Sequence, residues 1–166
     1  MRVRRLSVVL AALMLAACNA RSPETAMPAP ETMEGSIRIA GADPLPMVML
    51  RPAAGGPEVQ LTGDLARELM RLSGVTVSVT GTMGTGMQGL NVTEYDVTSV
   101  QGRRPTVGVI VSRDGGLWLE GDTTVRLTNP PEALQTQIGA KVWILGRTTD
   151  DGLQTESYGI IRPAQS

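Results

Sequence analysis

The second half of this chain repeats the first, and a chain made of two copies of a unit near 60 residues builds two small cores, not one large one. From Gly35 onward, Ile37-Arg38-Ile39 corresponds to Val107-Gly108-Val109, and Met47-Val48-Met49 to Leu117-Trp118-Leu119. Val59-Gln60-Leu61-Thr62 then matches Val125-Arg126-Leu127-Thr128. A helical stretch follows in each half, Asp64 to Leu72 and Pro131 to Ile138. Asp64 and Asn129 are placed as helix caps, Pro130 and Pro131 lie near a first turn, and Gly74 and Gly139 end the stretches. Val75 to Gly81 and Ala140 to Gly146 come next, and then Leu90 to Val97 against Leu153 to Ile160, which brings Tyr95 and Tyr158 to one position.

Each half thus runs three short strands, one helix and two strands, with alternating apolar positions. That order resembles the OB fold, a five-stranded Greek-key barrel. The resemblance covers Gly35 to Val100 and Arg104 to Pro163. It implies a mostly β protein: two tandem small five-stranded OB-like Greek-key barrels, each with one helix between strands 3 and 4, over residues 35–102 and 103–166. Units of this size bury only about 60% of their surface, so the barrels are expected to pack together. Phe is absent, so Val, Leu, Ile and Met must build the cores.

Alternation assigns faces. In the second repeat Leu117, Leu119, Val125 and Leu127 turn inward together, which sends Trp118 and Arg126 outward from strands two and three. OB folds bind ligands on that surface. A tryptophan beside an arginine can stack a sugar, a base or a peptide side chain; it can equally cover the junction with the other barrel, the reading preferred for Trp118. The first repeat, with Val48 and Gln60 at the matching positions, carries no such pair. Trp143 falls on the outer face of strand four, where the first repeat has Ser78. Trp118, Arg126 and Trp143 are the expected contacts, on an inter-barrel or partner surface.

Ahead of the repeats, Arg2, Arg4 and Arg5 precede an apolar run from Leu6 to Ala17 that closes with Leu15-Ala16-Ala17-Cys18. Twelve helical residues cover about 18 Å, too little for a hydrocarbon core of roughly 30 Å. The pattern resembles the signal sequence and lipobox of a bacterial lipoprotein. The resemblance implies a signal peptide at 1–17, cleavage between Ala17 and Cys18, a diacylglyceryl group on the Cys18 thiol and a further acyl chain, such as palmitate, on the new amine. Two or more chains hold a protein stably on a membrane. Ordinary cleavage after Ala17 or Ala20 is the alternative. Asn19, in place of a retention aspartate, implies the outer membrane facing the periplasm. Asn19 to Glu34 carries three prolines and no apolar period, so 18–34 is expected to be a disordered, lipidated tether spanning roughly 20 to 24 Å.

Composition narrows the chemistry. Removing the three signal arginines leaves 12 basic against 16 acidic residues, which disfavours nucleic acid as a partner. With no histidine and one cysteine there is no internal disulfide, no expected metal or other cofactor and no imidazole chemistry. The single lysine, Lys141, stands in no catalytic motif, and no enzyme is expected. The glycine-rich stretch Gly81 to Gly89 lacks the Lys-Ser/Thr ending of a phosphate loop and is expected to be a hairpin loop. Met47, Met49, Met83 and Met87 could bind cuprous ion, but Met47 and Met49 alternate like core residues. Asp150-Asp151, with Glu156 nearby, reads as turn chemistry, too poor in oxygens for calcium. The favoured function is a non-enzymatic binding or assembly module of the cell envelope, anchored through Cys18 and engaging an envelope protein or glycan. The second is a small-ligand or metal-handling lipoprotein using the Gly81–Gly89 loop and its methionines.

Overall fold

The computed structural model describes residues 29–41, 44–84 and 89–164. The first half contains β1 (Glu31–Ala40), β2 (Met47–Pro52), β3 (Val59–Thr62), α1 (Ala66–Leu69) with a 3-10 turn at Met70–Leu72, β4 (Thr76–Met83) and β5 (Gly89–Ser99). The second contains β6 (Thr106–Arg113), β7 (Gly116–Glu120), β8 (Thr124–Thr128), α2 (Glu132–Gln135), β9 (Lys141–Thr149) and β10 (Gly152–Arg162). Each half closes as a barrel in the same order, β1-β2-β3-β5-β4 and β6-β7-β8-β10-β9. Closure uses a short parallel pairing, β3 with β5 and β8 with β10, and an antiparallel one, β1 with β4 and β6 with β9. The protein is therefore two tandem OB-like barrels, each with a short helix between its third and fourth strands.

The duplication extends to single hydrogen bonds, which set Ile37 against Ile110 and not against Val107 as the sequence match has it. Gly74 N donates to Ile37 O at 2.8 Å and Gly139 N to Ile110 O at 2.7 Å; Ile37 N donates to Val75 O and Ile110 N to Ala140 O, both at 2.9 Å. Both glycines follow their helix with φ of +80° and +88°, which side-chain-bearing residues adopt at a cost. Both β-bulges recur too: the register shifts around Thr93 and Thr98 on β5 reappear around Glu156 and Ile161 on β10. Tyr95 pairs with Val79, and Tyr158 with Ile144, at equivalent rungs.

Several local expectations change. β1 begins at Glu31, not after Glu34, because Glu31–Ser36 pairs with Gly81–Thr76 and Met33 packs on the first core. On β2 the inward residues are Val48 and Leu50, so Met49 faces outward half-buried and Met47 is 42% exposed; neither is the core residue expected. The true counterpart of Trp118 is thus Met49, which pairs with Gln60 as Trp118 pairs with Arg126. The helices are shorter than expected, and neither Asp64 nor Asn129 caps them: the positions before the helices are Leu65 and Pro131, without side-chain caps, while Asn129 takes φ of +51°.

The first core centres on Ile37, Leu50, Leu69, Leu72, Val77 and Leu90, the second on Ile110, Leu119, Leu134, Val142 and Ile144. Two buried residues of the second barrel, Leu145 and Ile161, belong to the first core, and Val107 and Trp143 pack against it. The barrels are docked through the outer face of β9 and β10.

Candidate functional site

Two surfaces carry chemistry. The first is the outer face of β7 and β8. Trp118 and Arg126 are direct cross-strand partners, Trp118 half-buried and Arg126 exposed, both directed away from the second core. Trp118 Nε1 donates to Arg113 O at 3.1 Å, and the Arg113 guanidinium sits 6.0 Å from the indole centroid. Arg113 also pairs with Glu120 at 2.5 Å. Beside them opens a cavity of about 690 Å³, lined by Arg126, Gly116, Asn129, Ile138 and Asp151 among others. Its walls come from the β6–β7 turn, the end of β8, the α2 region and the β9–β10 turn. Ile138 is 51% exposed there. This arrangement can hold a flat or anionic group between a guanidinium and an apolar wall.

The second surface is the junction of the barrels, where four side chains form a clasp. Glu68 on α1 accepts a hydrogen bond from the Tyr95 hydroxyl, lies 3.5 Å from Lys141 Nζ and accepts from Arg162 at 3.2 Å. Lys141 donates to Tyr95 Oη at 3.1 Å and rests 4.5 Å from the ring centroid. Burial pushes the Glu68 carboxyl up, but the Tyr95 hydroxyl, Lys141 and Arg162 together hold it below its ordinary value. Burial and the Glu68 carboxylate push the Tyr95 hydroxyl far above its own. Tyr95 therefore stays protonated and serves as donor to Glu68 and acceptor from Lys141.

Trp143 lies beside this clasp. It faces Gly159 across the ladder, and its indole occupies the space a Cβ at Gly159 would need, 2.6 Å from its Cζ2. From there it packs on the first barrel. The structure therefore unites Trp118 with Arg126 and separates both from Trp143: the tryptophan that covers the inter-barrel junction is Trp143, and Trp118 lies over Arg113 instead. Cys18 and the cleavage pair Ala17 and Cys18 fall outside the described residues, as does Met87. Met83 packs against the first core. Asp150 and Asp151 form the β9–β10 turn as expected, while Glu156 pairs with Arg103 at 2.8 Å and Arg147 at 3.6 Å. Among the described residues no three His, Cys, Asp or Glu side chains converge as a metal site, and no helix is long and apolar enough to cross a membrane.

Glu68, Tyr95, Lys141 and Arg162 were not singled out by sequence as a group. The available signals were the uniqueness of Lys141, its place on the same strand face as Trp143 and Leu145, and the duplicated tyrosine. Comparison with protein-family models, with curated proteins and with solved structures found no match.

Proposed function

We propose that this chain is a lipid-anchored binding module of the cell envelope, held at the outer membrane through Cys18, whose second barrel engages an envelope protein or glycan. The observation that carries the reading is the Trp118–Arg126 pair, which lies outside the inter-barrel junction and whose arginine lines an open cavity of about 690 Å³. A side chain already used for docking could not serve a partner; this pair is unused. The guanidiniums of Arg113 and Arg126 beside an indole suit a ligand that is planar or carries negative charge, such as an acidic sugar or an acidic peptide segment. The role needs no catalytic group, and the two barrels act as the support that fixes this face.

The test is a pair of measurements on a Trp118→Ala, Arg126→Ala double variant. Its melting should move little, since both side chains point away from the core and surface substitutions usually change stability by within about 0.5 kcal/mol. Its co-sedimentation with purified sacculi and its capture of cross-linked envelope proteins should both fall. A stable variant that retains both would remove this face as the binding site. Separately, Cys18→Ser should release the protein from membranes after a high-salt wash, and continued sedimentation would refute the anchor.

A further inference from the structure

The clasp that joins the barrels also forms one wall of a groove of about 600 Å³ between them, within the roughly 300–1,000 Å³ typical of small-molecule sites, which favour domain boundaries. This groove is separate from the Trp118–Arg126 face: neither residue lines it. Its charges are sorted by wall.

On one wall Lys141 and Arg162 share a single carboxylate, Glu68. Two cations against one anion leave an excess positive charge, and Tyr95 is neutral. Lys141 has three N–H donors. One goes to Tyr95 and one faces Glu68, so one remains for the groove, and its side chain is 26% exposed. Arg162 commits one N–H to Glu68 and is 46% exposed. Arg104 stands at the same groove, but Asp96 lies 4.0 Å from it and offsets its charge.

Across β6 from Lys141, the groove is lined by the end of β7 and its connection to β8, carrying Glu120 and Asp122. Glu120 is occupied by Arg113, whereas Asp122 takes part in none of the ion pairs among the described residues. Val107, half-buried between the walls, gives an apolar floor. A groove with a spare cation at one end and a spare carboxylate at the other selects against polyanions and polycations alike, and matches a ligand bearing one charge of each sign.

We propose that the inter-barrel groove binds a zwitterion of the amino-acid or short-peptide class, its carboxylate on Lys141 and Arg162 and its ammonium on Asp122. Ligand binding there bridges both barrels, since the groove is lined by Tyr95 and Val97 of the first and by β6 and β9 of the second.

Chemical-shift titration of the full chain with three probes tests this. Glycylglycine carries both charges, N-acetylglycine only the carboxylate and glycinamide only the ammonium. The expected order is glycylglycine tightest, with N-acetylglycine and glycinamide each about tenfold or more weaker, a tenfold change being about 1.4 kcal/mol. Lys141→Met should abolish the preference for glycylglycine over glycinamide. Because Lys141 also supports the junction, Asp122→Asn on the exposed connection is the second variant: it should weaken glycylglycine about tenfold and leave N-acetylglycine unchanged. The Trp118→Ala, Arg126→Ala variant should bind all three probes as the unaltered chain does, whatever becomes of envelope capture. No saturable shifts at groove residues, equal affinity for the three probes, or an Asp122→Asn variant indistinguishable from the unaltered chain would each overturn the proposal.

Discussion

The outer face formed by β4 and β5 in the first barrel and the same face formed by β9 and β10 in the second share one strand register and have opposite characters. In the first barrel it carries Ser78, Thr80 and Thr98; in the second the same rungs carry Trp143, Leu145 and Ile161. Ser78 and Thr80 face away from a core into which Val77 and Val79 are fully buried, while Leu145 and Ile161 are almost wholly buried in the neighbouring barrel. Even the bulge is reused: around Thr98 it places a hydroxyl within donating reach of the Glu34 carboxylate at 3.1 Å and of Thr76 O at 3.3 Å, and around Ile161 it delivers an apolar side chain to the first core. Two copies of one fold become a directional pair because only one copy has an apolar outer face.

If that difference is what docks the barrels, matched substitutions should behave oppositely. The largest contrast is Ile161→Ala against Thr98→Ala. Emptying a buried isoleucine site should cost about 2 to 5 kcal/mol, while losing the Thr98 hydrogen bonds should cost about 0.5 to 1.5 kcal/mol. Urea melts of the two variants measure both, and equal losses would break the comparison.

Next is the tyrosine pair. Tyr95→Phe removes a hydroxyl bonded to both Glu68 and Lys141 and should cost about 1.5 to 3 kcal/mol, the range for hydrogen bonds to charged groups. Tyr158, at the equivalent rung, packs on the second core without such a clasp, and Tyr158→Phe should stay within about 0.5 kcal/mol. A reversed order in thermal melts would show that the clasp contributes little.

Gly159→Ala comes third. A methyl there meets the Trp143 indole, and overpacking of this kind costs about 1 to 3 kcal/mol. Asp96, the counterpart in the first barrel, is exposed and should tolerate alanine. Trp143 fluorescence would shift in the first variant and stay constant in the second; an unchanged spectrum for Gly159→Ala would contradict the packing of the indole.

The smallest effect is a pH dependence. Glu68 is held below its ordinary value of 4.5 by Tyr95, Lys141 and Arg162 acting against its burial. A carboxyl depressed in the folded state contributes stability above its unfolded value and loses it as pH falls through the folded one. Glu68→Gln should therefore destabilise more at pH 7 than at a pH below both values. The first barrel's α1 carries this carboxylate and α2 has Ala133 at the matching place, so Ala133→Gln should show no such dependence. Melts of Glu68→Gln that show the same loss at both pH values would remove the clasp's electrostatic role.

Much of this architecture was legible in the sequence, for identifiable reasons. Element order, the glycines that end the helices and the Tyr95/Tyr158 equivalence were visible because the chain states each of them twice. The polar-to-apolar change from Ser78 to Trp143 was visible because β-strand alternation fixes the face once the inward valines are known. The phase of β2 was not: Met47-Val48-Met49-Leu50 is apolar at every position, so alternation has no contrast to read. Nor was the start of β1, where Met33 is the single apolar residue among Glu31, Thr32 and Glu34 and pairing with β4 does the ordering. The clasp was hidden for a different reason. Glu68, Tyr95, Lys141 and Arg162 come from four elements across both halves, and each alone looks like an ordinary solvated polar residue. Glu68 and Tyr95 meet within the first barrel and Lys141 pairs with Arg162 within the second, and the docking of the barrels brings the two pairs together.

The apolar outer face of β9 and β10 turns two barrels into one unit, and giving that face the residues of its counterpart should undo this. A Trp143→Ser, Leu145→Thr, Ile161→Thr triple variant carries the first barrel's own solution at three equivalent rungs. Equilibrium unfolding in urea, followed by amide hydrogen exchange at Leu50 in the first core and Leu119 in the second, separates the two barrels. The unaltered chain should unfold in one cooperative transition. The triple variant should lose that coupling, with the first core, which borrows Leu145 and Ile161, opening earlier than the second. A triple variant that still unfolds in a single transition at the original midpoint would contradict the claim.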